Sequence, residues 1–588
     1  MPLKSKFREE LDYLRRLGRV FARNNPQLAR FLGEEATDPD VERLLEGFAF
    51  LTAKLRLKIE DDFPELTHPL LQLLWPNYLR PLPSTTIMQF APADRAITVR
   101  HRIAKGSRIQ SRRVEDIRCE FRTCADVDIY PLEIREVSDA HSLEKSTVRV
   151  DLSTLSDSPP STYDCDRLDF YLSGSDYTAM TLYLWLSRYL ADVRLECDGV
   201  VKQIPASHLV FPGFSTEEAL LPYPQNALEG YRILQEYFLF PRRYLFVGIT
   251  GLQSLWPNQR TERIRLEFNF TRPMPGDVRV HTGDLALYCA PSINLFEHEA
   301  EPVRLTGKTV DYRLRPSGQR PDAYEIFSID RVEGWKNGAS GQSGTWLRSY
   351  QPFESLRHQI DFEHGNTVLY YRTRIAPALV NAGVDHKVSF VRSDEQHYIG
   401  REETVSFSLT CTNRDLPLAL AVGDICVPMP EIPNFVCCRN LIAPTPSYRP
   451  VLDGDLQWTL ISNLSPTYLS LASPASLKAV IRSYDFAAHH DIQRARATQM
   501  RLNGLLDVTC TPIDRMFKAL PVRGLRTIVQ LDQDGFSCEG DLYLFGTVLS
   551  HFLAVFNSIS SFHALEAINV KNQEHYKWPL RTGTQPLI

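Results

Sequence analysis

The first 80 residues repeat apolar side chains at helical spacing. The pattern recurs at alternating intervals of four and three residues, at Phe7, Leu11, Leu14, Gly18 and Phe21. It predicts an N-terminal helix with an apolar stripe along one side, which Leu17 and Val20 widen. A second helix is predicted from Pro39, capped by Asp38, to just before Phe63, with one face made of Val41, Leu44, Leu45, Phe48, Leu51, Leu55 and Ile59. Thr67-His68-Pro69 predicts the start of a third helix.

From about residue 84 the apolar period changes from near 3.6 to 2, which predicts half-buried strands. Three segments show the alternation most clearly: Ile117, Cys119 and Phe121; Ile264, Leu266, Phe268 and Phe270; Val405, Phe407, Leu409 and Cys411. Asp198-Gly199, flanked by Leu195, Cys197 and Val201, predicts a tight hairpin turn. The middle of the chain is therefore predicted to be strand-rich.

Two further segments depart from this alternation. Residues 337–345 contain almost no side chain to bury, which predicts a flexible loop or linker. Near the end, a helix after Gly540-Asp541 is predicted to be apolar on most sides, with steps of three and four through Leu542, Phe545, Leu549, Phe552, Phe556 and Ile559. Such a helix is typically buried inside a domain.

Composition and charge narrow the class of protein. The 588 residues are enough for three to five domains. They are 43% hydrophobic and 23% charged, as in folded globular proteins. Lys and Arg number 66 against 71 Asp and Glu, so the chain lacks the basic excess of a nucleic-acid-binding protein.

Targeting and redox features point to the cytoplasm. Glu9, Glu10 and Asp12 follow the basic start at once, which predicts no export signal, and no window approaches the roughly 20 apolar residues of a membrane helix. The eleven cysteines form no CxxC pair, and the adjacent Cys437 and Cys438 could bridge only with strain. We therefore expect reduced thiols and no direct membrane insertion.

Candidate chemical motifs are incomplete. Gly307-Lys308-Thr309 resembles the end of a phosphate-binding loop, but the first glycine of that motif is replaced by Pro302. His298 lies among acidic residues, but the second histidine of a zinc-binding motif is missing. His489 and His490 are neighbours, and on a helix their side chains would point about 100° apart, so both would not readily bind one ion. We therefore predict no metal, nucleotide or other cofactor and no catalytic residues.

Short sequence blocks that follow one another in a characteristic order carry a family resemblance along nearly the whole chain. They occur in residues 38–53, 63–66, 78–81, 229–238, 240–241, 294–296, 300–302, 411–417, 443–445, 460–465 and 543–546. In these blocks and their order the chain resembles the TssF family, also called ImpG or VasA, of bacterial type VI secretion baseplate subunits.

The resemblance implies a structural role. Two copies of such a subunit associate with one TssG, and this wedge joins TssK and TssE around the VgrG spike. Six wedges form the platform for sheath and tube assembly, in the cytoplasm and docked at the inner membrane through TssK. The expected partners are thus TssG, TssK, TssE, VgrG and a second copy of the chain.

The predicted fold class is α+β and multidomain. We predict an N-terminal helical segment at 1–82, strand-rich and mostly antiparallel domains at 83–300 and 301–455, and a mixed α/β C-terminal domain at 456–588. The predicted interface with TssG is the stripe Phe7, Leu11, Leu14, Leu17 and Phe21. Two alternatives stay open: a hydrolase, which needs a nucleophile beside a base, and a carbohydrate- or peptide-binding module with aromatics such as Trp185, Trp256 and Trp346.

Overall fold

A computed structural model gives the fold. It describes residues 7–8, 10–17, 39–60, 64–93, 96–224, 228–261, 263–306, 308–336, 346–353, 369–378, 383–392, 401–463, 473–517, 520–557 and 561–583. The predicted loop at 337–345 and two members of the N-terminal stripe, Gly18 and Phe21, lie outside these residues.

Residues 10–17 are helical, and eight further helices follow along the described chain. They are α1 (Pro39–Glu60), α2 (Pro64–Leu74), α3 (Asp176–Leu184), α4 (Glu229–Leu239), α5 (Gly454–Asn463), α6 (Pro474–Ser483), α7 (Ile492–Gly504) and α8 (Glu539–Ala554). None of these described helices is both long enough and apolar enough to cross a membrane.

Strands dominate the region between α2 and α5. They are β1 (Thr85–Pro92), β2 (His101–Ile103), β3 (Arg108–Val114), β4 (Ile117–Thr123), β5 (Val127–Ile129), β6 (Leu132–His141), β7 (Ser146–Thr154), β8 (Leu168–Leu172), β9 (Leu190–Cys197), β10 (Val200–Pro205), β11 (Leu209–Val210), β12 (Phe246–Ile249), β13 (Arg263–Phe270), β14 (Leu285–Leu287), β15 (Cys289–Ile293), β16 (Phe296–Glu299), β17 (Val303–Thr306), β18 (Asp311–Leu314), β19 (Glu325–Lys336), β20 (Trp346–Ser349), β21 (Gln351–Pro352), β22 (Leu369–Pro377), β23 (Val384–Arg392), β24 (Arg401–Thr412), β25 (Ile425–Pro428) and β26 (Val436–Asn440). The C-terminal strands are β27 (Leu505–Phe517), β28 (Leu520–Leu531), β29 (Phe562–Asn569), β30 (His575–Lys577) and β31 (Arg581–Thr582).

The chain divides into two compact units. The helical unit is Met1–Leu74 with Leu452–Leu464, and the body is Trp75–Val451 with Ser465–Ile588. Helix α5 belongs to the helical unit although it lies 380 residues beyond α2 in the sequence, and Thr67 of α2 hydrogen bonds to Gln457 of α5. The division into four domains stays a prediction.

Three antiparallel sheets build the first part of the body. Their strand orders are β25-β3-β4-β15-β1-β26, β10-β9-β13-β7-β6 and β11-β12-β8-β14. In the first sheet β1 pairs with β15 on one side and with the edge strand β26 on the other. This sheet therefore joins segments that are far apart in the sequence.

A β-sandwich follows in residues 296–412. One sheet has the order β16-β24-β19-β20, with β17 also on β24, and the other has the order β18-β23-β22-β21. Both sheets contribute to one apolar core, which β24 lines with the buried side chains Val405, Phe407, Leu409 and Cys411. The alternation of apolar and polar residues along β24 thus places one face of the strand in the core.

The C-terminal sheet has the order β27-β28-β29-β30, with β31 on β29. Strands β28 and β29 are parallel, so the chain must cross between them, and α8 makes that connection. Helix α8 packs against both α3 and α4 and is buried on almost every side. At Gly540 a side-chain Cβ would lie 2.1 Å from the carbonyl oxygen of Met180 in α3, so only glycine permits this approach.

The structure confirms most of the predicted elements. The α+β class, the strand-rich middle with mostly antiparallel sheets, and the buried helix α8 are all present. The hairpin turn between β9 and β10 has positive φ at Asp198 (48°) and Gly199 (85°), as expected for Asp-Gly. The predicted start of the third helix is wrong: α2 begins at Pro64, which suits the first helical position, and Pro69 lies inside the helix.

Candidate assembly surface

The helical unit exposes many large apolar side chains. Of the 26 such side chains exposed among the described residues, eleven lie in this small unit. They are Tyr13, Leu17, Leu44, Phe48, Phe50, Leu51, Leu66, Leu70, Leu73, Leu74 and Trp458. A concentration of this kind is typical of protein–protein interaction surfaces.

Helix α1 has its large apolar residues on the outside. Leu44, Phe48 and Leu51 follow at steps of four and three and are 73%, 59% and 59% exposed. On the other side of the helix, Ala49 and Ala53 are fully buried. A surface helix of an isolated globular protein normally buries its large apolar stripe. We call Leu44, Phe48 and Leu51 the outer face of α1.

Helix α2 is fixed by a buried polar contact to α5. The hydroxyl of Thr67 donates to Oε1 of Gln457 at 2.7 Å, and Nε2 of Gln457 lies 3.1 Å from Nε2 of His68. All three residues are buried. This contact directs one side of α2 to α5 and leaves Leu66, Leu70 and Leu73 exposed.

The predicted interface stripe of the N-terminal helix contains both buried and exposed side chains. Leu11 is buried, Phe7 and Leu14 are half-buried, Leu17 is 52% exposed, and Phe21 lies outside the described residues. The role of this stripe at an interface stays a prediction. Sequence reasoning missed the outer face of α1, because periodicity shows one apolar face without showing which side is buried. The signal that could have revealed it is the second stripe, Ala49 and Ala53, on the opposite side.

One block of the family resemblance forms buried structure in the body. Residues 229–238 lie in α4, where the carboxylate of Glu236 contacts the guanidinium groups of Arg232 and Arg243. Its Oε1 also accepts the backbone N–H of Leu220 at 2.8 Å. All three charged side chains are at most 1% exposed, and burial lowers the pKa of Arg243. No substrate can reach these charges, because their side chains are buried. We therefore interpret the group as structural.

A serine, a histidine and an aspartate meet at the β6–β7 hairpin. Nδ1 of His141 lies 2.8 Å from Oγ of Ser146, and Nε2 of His141 contacts the carboxylate of Asp139. Ser146 is 1% exposed, and its oxygen already accepts the backbone N–H of Met274 at 2.8 Å. The hydroxyl is therefore closed to a substrate, and Ser146 links the hairpin to the segment that contains Met274.

The other candidate motifs occupy structural positions. Residues 303–306, before the Gly307-Lys308-Thr309 sequence, form strand β17. Nε2 of His298 lies 2.9 Å from the carbonyl oxygen of Ser317, and Asp491 caps α7. Within the described residues no cluster of three or more His, Cys, Asp or Glu could hold a metal ion.

Comparisons with known proteins agree along the whole chain. The family model "Type VI secretion system, TssF" matches residues 2–585. The "Type VI secretion system component TssF1" of Pseudomonas aeruginosa is 29% identical over 628 aligned positions, which cover 99% of this chain and 98% of that protein.

Two solved structures share the fold. A chain of the cryo-electron microscopy structure of the type VI secretion system TssK-TssF-TssG baseplate subcomplex matches with 29% identity and a TM-score of 0.76, over 92% of this chain and 99% of that chain. A chain of the baseplate complex from the type VI secretion system matches with 27% identity and a TM-score of 0.67, over the full length of both. The chain therefore belongs to the TssF family of type VI secretion systems.

Proposed function

We propose that the chain is a structural subunit of a type VI secretion baseplate that assembles with TssK- and TssG-type subunits. Both solved relatives are baseplate assemblies, and one of them contains TssK and TssG. The observation that carries the proposal in this chain is the outer face of α1, where three large apolar side chains are exposed.

The energetics favour a helical partner for this face. Burying one Leu or Phe side chain contributes about 1.5–3 kcal/mol. Leu44, Phe48 and Leu51 are spaced so that a second helix could pack along all of them, with Leu66 and Leu70 of α2 as further apolar residues of the unit. We assign this face, together with the N-terminal stripe Phe7 to Phe21, to the contact with TssG.

The finer assembly is also part of the proposal. Two copies of the chain would join one TssG, and the wedge so formed would contact TssK, TssE and the VgrG spike on the cytoplasmic side of the inner membrane. The role is structural and not enzymatic. The closed hydroxyl of Ser146 and the buried Arg232–Glu236–Arg243 group support it, since each stabilises the fold.

Co-purification with TssG and TssK tests this function. Phe48→Asp places a carboxylate in the middle of the outer face, where burial against a partner would cost several kcal/mol. We expect the variant to fold like the wild type, because position 48 is exposed, and to bind TssG at least about 100-fold more weakly.

Leu143→Asp is the matched control. Leu143 is fully exposed in the β6–β7 turn of the body, so the same change there should leave TssG binding intact. Circular dichroism of both variants checks that they fold. If Phe48→Asp retains TssG as well as Leu143→Asp does, the outer face is not the assembly surface.

A further inference from the structure

A polar cavity of about 270 Å³ lies in the body. Four segments line it: Glu325 at the start of β19, Arg414 and Asp415 after β24, Tyr448 and Arg449 after β26, and His490 before α7. Asp415 and His490 are exposed, so the cavity opens to solvent on their side.

Three of the residues that line this cavity each carry a buried polar atom with no hydrogen-bond partner within the described part of the chain. These atoms are Oε1 of Glu325, Nε of Arg414 and the hydroxyl of Tyr448. Glu325 is only 4% exposed. A buried polar group left unsatisfied destabilises the fold, and a charged group does so more strongly. Three such atoms around one cavity indicate a site prepared for a ligand group.

The walls of the cavity are held in place by other contacts. Nη1 of Arg414 donates to the carbonyl oxygen of Asp322 at 2.9 Å, and Arg414 has a positive φ of 52°, which is strained for a residue with a side chain. Nε2 of His490 lies 2.9 Å from the carbonyl oxygen of Arg449, and its ring stacks on Tyr448 with centroids 5.9 Å apart. The side chains of Arg414 and Tyr448 are therefore held in position by neighbouring groups.

The charges around the cavity define the ligand. An anion would meet Glu325 and Asp415, and a cation would meet Arg414 and Arg449. The charges of Arg414 and Arg449 act on the carboxyl of Glu325, whose pKa is nevertheless raised because burial dominates. A neutral group that both donates and accepts hydrogen bonds satisfies both sides, and a carboxamide or peptide group has this property.

The size and the polar lining of the cavity favour a small polar group over a typical cofactor. Small-molecule and cofactor sites usually measure about 300–1,000 Å³ and are mostly apolar. This cavity is smaller and polar, and suits one inserted side chain with its backbone. We propose that it receives an amide-bearing segment of another baseplate subunit, whose N–H donates to Glu325 and whose carbonyl accepts from Arg414 or Arg449.

Glu325→Met tests this inference, which rests on the proposed function. Methionine has a similar shape without an acceptor, so the free chain no longer buries an unsatisfied carboxylate and its midpoint of thermal unfolding should rise. The partner's amide would then lose its acceptor. We expect the variant to dissociate from the TssK- and TssG-containing complex at least fivefold faster than the wild type in biolayer interferometry.

Glu297→Met is the control, because Glu297 is exposed on β16 of the same sandwich and should change neither value. Wild-type dissociation of Glu325→Met, or a lower midpoint of its free chain, would show that solvent fills the cavity and would overturn the inference. If Phe48→Asp fails to assemble while Glu325→Met behaves as the wild type, only the cavity inference is wrong. If Phe48→Asp assembles normally, the proposed assembly surface is wrong.

Discussion

Asn294 and Asn413 exchange hydrogen bonds across 119 residues of sequence. Nδ2 of Asn294 donates to Oδ1 of Asn413 at 2.8 Å, and the backbone N–H of Asn413 donates to Oδ1 of Asn294 at 2.7 Å. Nδ2 of Asn294 also donates to the carbonyl oxygen of Glu120 at 2.8 Å. Both asparagines are fully buried, and they join the end of β15 in the first sheet to the end of β24 in the sandwich.

Asn294→Ala should destabilise the body, because it removes the side-chain hydrogen bonds to the N–H of Asn413 and the carbonyl of Glu120. A buried polar group that loses its hydrogen bond costs about 1–3 kcal/mol. We expect a midpoint of thermal unfolding several degrees below that of the wild type. Asn503→Ala, at an exposed position of α7, should change it little. Equal midpoints for the two variants would contradict the structural role of Asn294.

Two glycine substitutions should act in opposite directions. Gly540→Ala forces a methyl group against the backbone of Met180 and should destabilise the body by about 1–3 kcal/mol. Gly47→Ala, in α1, meets nothing within 4 Å and should stabilise the helical unit by about 0.5–1 kcal/mol. Thermal unfolding of both variants measures the difference, and a stabilised Gly540→Ala would refute the close packing of α3 on α8.

Acid should destabilise the protein partly through His551. Burial, with the charges of Arg581 and Arg232, lowers the pKa of His551 to about 2, and its ring stacks on Phe214 with centroids 4.1 Å apart. The unfolded chain protonates this ring near pH 6.5 and the folded chain does not, so stability falls as the pH decreases below that value. Between pH 7 and pH 5 the loss from this group is up to about 2 kcal/mol.

His551→Phe should therefore reduce the loss of stability between pH 7 and pH 5 by up to about 2 kcal/mol. A contribution of similar size remains, because burial also lowers the pKa of His563, to about 4. His489→Phe makes the same substitution at an exposed position and is the matched control. Urea unfolding at several pH values gives the profiles. A His551→Phe variant as acid-sensitive as the wild type would show that this ring is solvated.

Local patterns were sufficient to predict much of the fold. Strand β13 buries Ile264, Leu266, Phe268 and Phe270 in alternation, because a period of two places every second side chain on the same face. Helix α8 could be predicted as internal because its apolar residues surround the helix axis. These elements depend on short-range periodicity, which the sequence displays directly.

Long-range contacts could not be predicted in this way. The association of α5 with α2 depends on hydrogen bonds of Gln457, whose polar side chain gave no sign that it would be buried. The cavity at Glu325 combines residues from four separate segments, and no local spacing brings them together. The outer face of α1 was part of a recognised apolar stripe, but its direction depends on packing that periodicity does not describe.

The position of β1 between β15 and β26 has a consequence for synthesis on the ribosome. Residue Phe90 of β1 pairs with Cys438 of β26, which is made about 350 residues later. At roughly 5–20 residues per second, the interval is about 20–70 s. Throughout that time the nascent chain carries a strand that is largely buried in the finished fold but has one unpaired edge, and such edges promote aggregation. A ribosome that stops before Asn440 releases a chain whose first sheet lacks part of its edge strand β26. About three quarters of the protein must therefore be synthesised before this sheet is complete.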